Sequence, residues 1–220
     1  DYWLGGGHGL TTGKPILASD RDWRKHLPRF EPQRRSIETS SCTQFNTINP
    51  VESLIKLKYG IEKNYSERAI SILAGNSPSG NDPNVTCETL RKNGLLPEED
   101  LPFTNELKSW EEYMQPDPLP DKLITKSKKW GYNFLHEWVD TETEKLWNAL
   151  QYSPLGISVL AWRQEGEFYI KEKGERDNHW TCLVWGKYKD YWIVYDSYLD
   201  DGMPFKKLNW GYPFGYAKLF

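Results

Sequence analysis

The chain has 220 residues, a net charge of −3 and 15% aromatic residues, and its mean hydropathy is −0.75. These values are typical of a soluble globular protein with a sizeable core and do not fit a disordered chain. The charges are mixed and form no long basic run, which excludes the electrostatic pattern of a nucleic-acid-binding protein. No stretch reaches the ~18 consecutive apolar residues of a membrane span. We therefore expect a soluble monomer that binds neither nucleic acid nor membrane.

The N-terminal part of the chain carries one flexible segment and one helix pattern. Residues 1–18 are rich in glycine and predict a flexible lead-in. From Cys42 to Tyr59 the apolar side chains recur every three or four residues, which predicts a helix. Pro50 interrupts this pattern. A second interpretation therefore stays open, in which a helix begins near Pro50 and Cys42 lies in the loop before it.

Two shorter helices are predicted next. Ser66 is a candidate N-cap for a helix that runs to Ala74. Residues 75–84 consist of Gly, Asn, Ser, Pro and Asp and predict a loop. A short helix follows near residues 85–93 and ends at Gly94, which is a typical helix C-cap residue.

Proline-rich residues 115–120 predict a hinge between two lobes. The first lobe, residues 19–120, is mainly helical, and the second, residues 121–220, is rich in strand patterns. The second lobe begins with a predicted helix over residues 141–151. Its predicted strands are residues 156–162, 179–185, 191–195 and 215–220. Helices that precede strands, instead of alternating with them, indicate an α+β fold.

Three cysteines are too few for a disulfide framework and cannot all pair within one chain. Cys87 and Cys182 lie in helix-like and strand-like contexts, so we expect both to be buried thiols that form no disulfide. Cys42 instead follows two serines at the start of a predicted helix. Backbone N–H groups and the helix dipole stabilise a thiolate at such a position. Cys42 is therefore the candidate nucleophile.

A nucleophilic thiol needs a base and a third group that orients the base. His179 begins one predicted strand, and Asp196 directly follows the next. A tight turn near residues 187–190 would place the two strands side by side and antiparallel. The carboxylate of Asp196 could then accept a hydrogen bond from the imidazole of His179. We expect Cys42, His179 and Asp196 to form a triad that attacks an amide carbonyl.

Short segments along the chain resemble the papain-like cysteine peptidases, in the order that the family has them. Ser41-Cys42-Thr43-Gln44-Phe45 is similar to the family's Ser-Cys-Trp-Ala-Phe, and Asn178-His179 matches its catalytic Asn-His. Asp196-Ser197-Tyr198 lies where the family has Asn-Ser-Trp. The other similar segments are Asp22-Trp23-Arg24, Tyr65-Ser66-Glu67-Arg68, residues 94–103 and Gly215-Tyr216.

The resemblance implies a two-lobe fold with an N-terminal helical lobe and a C-terminal antiparallel β-rich lobe. It also implies an active site in the cleft between them, where a polypeptide substrate binds, with no cofactor and no metal. The implied activity is that of a cysteine endopeptidase that forms an acyl-enzyme intermediate. The family's disulfide cysteines are absent, which indicates either a reducing compartment or a divergent microbial or viral member of the family.

Two departures from the family concern the site itself. The usual orienting Asn is Asp196, and because an amide oxygen can also accept from His179, Asp196→Asn is expected to retain substantial activity. The oxyanion Gln, expected six residues before the nucleophile, is replaced by Ser36. Gln33 is then the candidate oxyanion donor, beside the backbone N–H of Cys42.

Two other functions stay open at this point. One is a cell-wall amidase or other thiol acyltransferase with a Cys-His-Asp triad, and the other is a catalytically inactive papain-like binding module. His136-Glu137 begins like a zinc motif, but residue 140 is Asp instead of His. We therefore interpret His136 and Glu137 as surface residues of a helix or loop.

Overall fold

The structure is a computed structural model that describes residues 16–200 and 202–220. The predicted lead-in therefore lies outside the described residues as far as residue 15. Contacts divide the described residues into two compact units. We call residues 28–135 the helical unit, and residues 16–27 together with 136–220 the sheet unit. None of the helices in the described ranges is long and apolar enough to cross a membrane.

The helical unit contains the predicted helices and two further short ones. Its α-helices are α1 Cys42–Tyr59, α2 Glu67–Ala74, α3 Pro83–Asn93, α4 Trp110–Tyr113 and α5 Asp121–Ser127. Two 3-10 turns span Glu98–Asp100 and Lys128–Trp130. Helix α1 confirms the prediction over the same residues, and Pro50 lies buried inside it. The later helix start is therefore wrong, because tertiary burial of α1 outweighs the disturbance that a proline causes.

Side chains cap α2 and α3 at their N-termini. Ser66 accepts a hydrogen bond from the backbone N–H of Ala69 at 3.1 Å, which confirms the predicted cap. Asp82 accepts from the N–H groups of Asn84 and Val85 at 2.7 and 3.2 Å. Helix α3 thus begins at Pro83, inside the predicted loop, because proline is well suited to the first turn of a helix.

Residues 121–135 pack within the helical unit, whereas the sequence placed them in the second lobe. The predicted C-cap Gly94 has a φ of +75°, and an added Cβ would lie 2.2 Å from the backbone O of Ser127. The N–H of Leu95 donates to that same oxygen at 3.2 Å, and the N–H of Tyr132 donates to Arg91 O at 2.7 Å. Close backbone packing against α3 therefore moves the division between the units beyond the predicted hinge.

The sheet unit is built on eight strands of the described residues. They are β1 Glu137–Val139, β2 Leu155–Val159, β3 Arg163–Glu165, β4 Phe168–Ile170, β5 His179–Lys187, β6 Tyr191–Asp200, β7 Met203–Asn209 and β8 Ala217–Leu219. Their order in the sheet is β1-β8-β2-β5-β6-β7-β4-β3, and the neighbours are antiparallel except for β4 and β7. The helix α6 Thr143–Ala149 precedes β2. The four predicted strands and the predicted helix are confirmed in position, with shifted ends.

The interpretation of His136 and Glu137 as surface residues is wrong. Glu137 opens strand β1 and is 6% exposed, and His136 is 2% exposed. The Nδ1 of His136 lies 3.0 Å from the Nζ of Lys218, which is itself buried on β8. Strand β1 has only three residues, too few for a recognisable alternation of apolar and polar side chains. The burial of His136 and Glu137 follows from the pairing of β1 with β8, which the sequence did not reveal.

Residues 16–27 belong to the sheet unit, and the indole of Trp23 is fully buried there. Trp23 is 0% exposed, and its Nε1–H donates to the backbone O of Leu150 at 2.7 Å. Its backbone N–H donates to Val184 O on β5 at 3.0 Å. Trp23 is thus part of the core of the sheet unit.

Candidate active site

His179 and Asp196 lie on neighbouring antiparallel strands. Strands β5 and β6 form a hairpin with the register Lys187↔Tyr191, which confirms the predicted turn. The Nε2 of His179 lies 2.6 Å from Oδ1 of Asp196, and the two side chains are 4% and 0% exposed. The hydrogen bond that the sequence predicted is therefore present and shielded from water. In this arrangement Asp196 fixes the rotation of the imidazole ring.

The second carboxylate oxygen of Asp196 is surrounded by N–H groups. Oδ2 accepts from Nε1 of Trp162 at 3.0 Å and from the backbone N of Tyr198 at 3.3 Å. The Nζ of Lys206 lies 3.1 Å from the same oxygen. Burial alone would raise the pKa of Asp196, but the charge and hydrogen bond of His179, followed by the charge of Lys206, lower it to about 2. Asp196 is therefore a carboxylate at neutral pH.

Two aromatic rings flank the imidazole of His179. The ring of Tyr198 lies 5.4 Å from it, at an angle of 38°. The ring of Trp162 lies 5.6 Å from it, edge to face at 72°. Tyr198 lies where the papain-like peptidases have Trp in the sequence comparison. Trp162 was missed as a site residue, although it ends the predicted strand 156–162 and lies three residues beyond the end of β2.

Cys42 is the first residue of α1 and is partly exposed. The backbone O of Ser41 accepts from Gln44 N and Phe45 N at 3.0 and 3.1 Å, so Ser41 is held at the N-cap. The amide of Asn76 donates to Ser41 Oγ at 3.0 Å and thereby ties this residue to the end of α2. Cys42 is thus presented at a well-anchored helix N-terminus, where N–H groups and the helix dipole favour negative charge.

Gln33 lies in the same helical unit as Cys42 and is 1% exposed. Its Nε2 donates to Oε1 of Glu38 at 3.0 Å, and its backbone O accepts from Thr39 Oγ1 at 2.8 Å. The same Glu38 oxygen accepts from Ser40 N at 2.9 Å. These bonds fix the loop before the nucleophile, and the role of Gln33 as an oxyanion donor stays a prediction.

The other two cysteines differ from Cys42 in exposure. Cys87 and Cys182 are 1% and 0% exposed, and neither forms a disulfide. Burial raises the pKa of the Cys182 thiol well above its ordinary value. Both predictions of buried thiols are confirmed. Among residues 16–200 and 202–220, no group of three or more His, Cys, Asp and Glu side chains is arranged to hold a metal ion.

Solved structures with a similar architecture include two named as a procathepsin and a protease, and one from a study of mite allergens. Procathepsin L 3 from the larval midgut of Tenebrio molitor is 19% identical, with a TM-score of 0.67 over 96% of this chain and 71% of that one. Bromelain from Ananas comosus is 17% identical, with a TM-score of 0.66 over 90% of this chain and 96% of that one. The chain has the papain-like fold.

A third similar structure comes from a comparison of the mite allergens Blo t 1 and Der p 1. It is 16% identical, with a TM-score of 0.63 over 98% of this chain and 74% of that one. No family model matches the sequence, and no curated protein matches it either. The papain-like fold confirms the predicted α+β class, while these low identities carry no residue roles to this chain.

One polar side chain of the site gave no sequence signal. Lys206 lies on β7 beside a second lysine, Lys207, and such a pair usually indicates a solvated strand face. The structure buries Lys206 at 2% exposure against Asp196. A buried lysine within a papain-like fold could be recognised only once the pairing of β6 with β7 was known.

Proposed function

We propose that the protein is a cysteine endopeptidase with Cys42 as nucleophile, His179 as general acid and base, and Asp196 as the group that orients His179. The observation that carries this proposal is the buried 2.6 Å contact between His179 Nε2 and Asp196 Oδ1. This pair occurs in a papain-like fold whose partly exposed cysteine begins a helix. The substrate is a polypeptide, in keeping with the proteases that share the fold.

From the geometry of the pair we infer one task for each ring nitrogen of His179. Nε2 is held by Asp196 Oδ1, so Nδ1 is the nitrogen that exchanges a proton with the Cys42 thiol. The thiolate attacks the carbonyl carbon of the scissile amide and forms a tetrahedral oxyanion. The backbone N–H of Cys42 and the side-chain amide of Gln33 are the proposed donors to this oxyanion.

Collapse of the tetrahedral intermediate breaks the C–N bond, and imidazolium donates its proton to the leaving amine. The acyl group then remains on Cys42 as a thioester. Water attacks the thioester carbon while His179 takes a proton from that water. The C–S bond then breaks, the carboxylic acid product leaves, and the thiolate of Cys42 is restored beside imidazolium. Asp196 stays ionised throughout, as its lowered pKa of about 2 favours.

Selective alkylation tests the proposed nucleophile. The reduced protein is treated with a limiting amount of iodoacetamide at pH 6, and labelled peptides are quantified by mass spectrometry. Cys42 is expected to react at least about tenfold faster than Cys87 and Cys182, because an ion-paired thiolate is the reactive species and the other thiols are buried. His179→Ala should reduce this preference to the part that burial of Cys87 and Cys182 causes.

Hydrolysis of an unfolded protein and of a peptide library tests the reaction itself. Wild type should cleave internal peptide bonds, Cys42→Ala should not, and Cys87→Ala is the matched control that keeps activity. Labelling of Cys42 without peptide cleavage, but with release of amides from cell-wall peptides, would favour the amidase alternative. Absence of both labelling and cleavage would contradict the proposal and indicate a binding module.

A further inference from the structure

Lys206 is a buried cation whose environment is polar on one side only. Its side chain is 1% exposed, and its Nζ donates to the backbone O of Tyr198 at 2.7 Å. Nζ also lies 3.1 Å from Asp196 Oδ2 and 5.2 Å from the centre of the Trp162 ring. A buried ammonium is costly unless a carboxylate compensates its charge. Here the compensating carboxylate is the one that holds His179.

Hydrogen-bond donors face both carboxylate oxygens of Asp196. Oδ1 faces Nε2 of His179. Oδ2 accepts hydrogen bonds from Trp162 Nε1 and Tyr198 N and pairs with Lys206 Nζ. An ionised carboxylate accepts at both oxygens and donates nowhere, so it satisfies this set completely. An amide offers one oxygen and one NH2 group, and its NH2 group would have to face N–H donors on one of the two sides.

We propose that Lys206 is a positioning residue for His179. Together with Trp162 it holds Oδ2 of Asp196, so that Oδ1 stays directed at His179 Nε2, and it makes a carboxylate necessary at position 196. The ion pair of Asp196 and Lys206 thus replaces the neutral amide found at this position in the papain-like peptidases. The kinetic consequences of this inference rest on the proposed peptidase function, whereas the structural consequences do not.

The inference reverses one expectation from the sequence. With His179 as the only neighbour, Asp196→Asn would keep an acceptor for the ring and retain activity. With Lys206 and Trp162 at Oδ2, the amide oxygen turns towards them and the NH2 group turns towards His179. The ring is then held in the wrong tautomer, which in serine proteases costs about four orders of magnitude in kcat. We expect kcat/KM of Asp196→Asn to fall at least about 100-fold.

Removing the positive charge of Lys206 should restore part of the activity that Asp196→Asn loses. In Asp196→Asn combined with Lys206→Met, the charged donor at the Oδ2 position is gone. Turning the NH2 group towards that side then costs less, because it faces only the neutral N–H groups of Trp162 and Tyr198 there. We expect the double variant to be at least about tenfold more active than Asp196→Asn. Such recovery by a second substitution is the non-additivity that direct coupling produces, and a merely destabilising Lys206→Met would lower activity further.

The pH dependence of kcat/KM supplies a second kinetic test. Lys206→Met removes a positive charge near the imidazolium, so the alkaline limit of activity should move to higher pH, by up to about one pH unit. Asp196→Asn should move it to lower pH. Lys207→Met is the matched control, because Lys207 is the next residue of β7, is 26% exposed and pairs with Glu167. Its profile should match wild type.

Nitrogen-15 NMR of the imidazole rings tests the positioning without any turnover. In wild type the proton on His179 Nε2 should be protected from exchange, assigned by its loss in His179→Ala. The Nε2 proton signal should disappear or shift in Asp196→Asn and return in the double variant. If Lys206→Met does not fold, Lys206→Gln removes the charge while keeping a donor for Tyr198 O.

The outcomes separate this inference from the proposed function. An active wild type in which Lys206→Met behaves like Lys207→Met, and in which the double variant shows no recovery, would overturn the role of Lys206 alone. An inactive wild type in which the NMR signal is lost in Asp196→Asn and restored in the double variant would refute the peptidase function and support the role of Lys206.

Discussion

Replacing Glu98 with Gln is expected to stabilise the protein at neutral pH and to weaken the pH dependence of its stability. Glu98 lies in the 3-10 turn before the core of the helical unit, and its Oε1 accepts from Phe103 N at 2.7 Å. Burial raises the pKa of Glu98 from 4.5 to about 7. The hydrogen bond from Phe103 opposes this rise, the negative charge of Glu31 adds to it, and Arg35 opposes it again.

The sign of the effect follows from proton binding. Between pH 4.5 and about 7 the folded protein keeps the proton on Glu98, whereas the unfolded chain has released it. Stability from this group is therefore fully present below pH 4.5 and is lost as the pH rises towards 7. At about 1.36 kcal/mol per pH unit, the loss is at most roughly 3 kcal/mol.

Glu98→Gln resembles the protonated carboxyl group and keeps an oxygen for Phe103 N. We expect no significant change in the free energy of unfolding at pH 4.5 and a gain of up to roughly 3 kcal/mol at pH 7.5. The measurement is urea unfolding followed by tryptophan fluorescence at both pH values. Glu99→Gln is the matched control, because Glu99 is the next residue, its side chain is 69% exposed and it pairs with Lys63.

The control should change stability by less than about 1 kcal/mol at either pH. Part of the pH dependence should survive in Glu98→Gln, because burial also raises the pKa of Glu31, Glu52 and Glu67. The reasoning would be refuted if Glu98→Gln were less stable than wild type at pH 7.5, or if the change from pH 4.5 to 7.5 were the same in both proteins.

Three further predictions concern stability. Trp23→Phe leaves the backbone O of Leu150 without its indole donor and should cost about 1–3 kcal/mol in urea unfolding; a cost below ~0.5 kcal/mol would contradict the bond's importance. Ser66→Ala removes both the cap of α2 and a 2.7 Å hydrogen bond to Leu101 O. It should lower the free energy of unfolding by about 1–2 kcal/mol, which thermal unfolding would show as a lower midpoint. The lowered pKa of Asp196, about 2 against 3.8, contributes roughly 2 kcal/mol above pH 3.8 that is lost as the pH falls towards 2. The free energy of unfolding of wild type should therefore fall between pH 3.8 and pH 2, and a constant value over that range would contradict the prediction.

The His179–Asp196 pair could be predicted because the information lies within one hairpin. Two runs of β-branched and aromatic residues, separated by a short polar turn, determine an antiparallel register with little freedom. The apolar spacing also predicted a helix over Cys42–Tyr59, but the choice between a start at Cys42 and one near Pro50 depended on tertiary burial. The hairpin, in contrast, depends on contacts between residues that are close in the chain.

The features that could not be predicted depend on pairing between distant segments. Lys206 is buried because β7 pairs with β6 beside Asp196, and its own sequence neighbours give no sign of this. The helical unit extends to residue 135 because the chain at Ser127 approaches the backbone at Gly94. Strand β1 has three residues, too few for any periodicity. Tertiary contacts overrode local pattern in each case.

During synthesis, the indole of Trp23 emerges long before the residue to which it hydrogen-bonds. Its hydrogen-bond partner Leu150 lies 127 residues further along the chain, and the whole helical unit lies between them. At ribosomal speeds of about 5–20 residues per second, Trp23 emerges on the order of 10 s before the backbone that covers it. The helical unit, in contrast, is one continuous segment, so all of its internal contacts become available once residue 135 has emerged. A ribosome that pauses before residue 150 would therefore leave Trp23 uncovered after the helical unit has emerged, and exposed apolar surface of this kind favours aggregation.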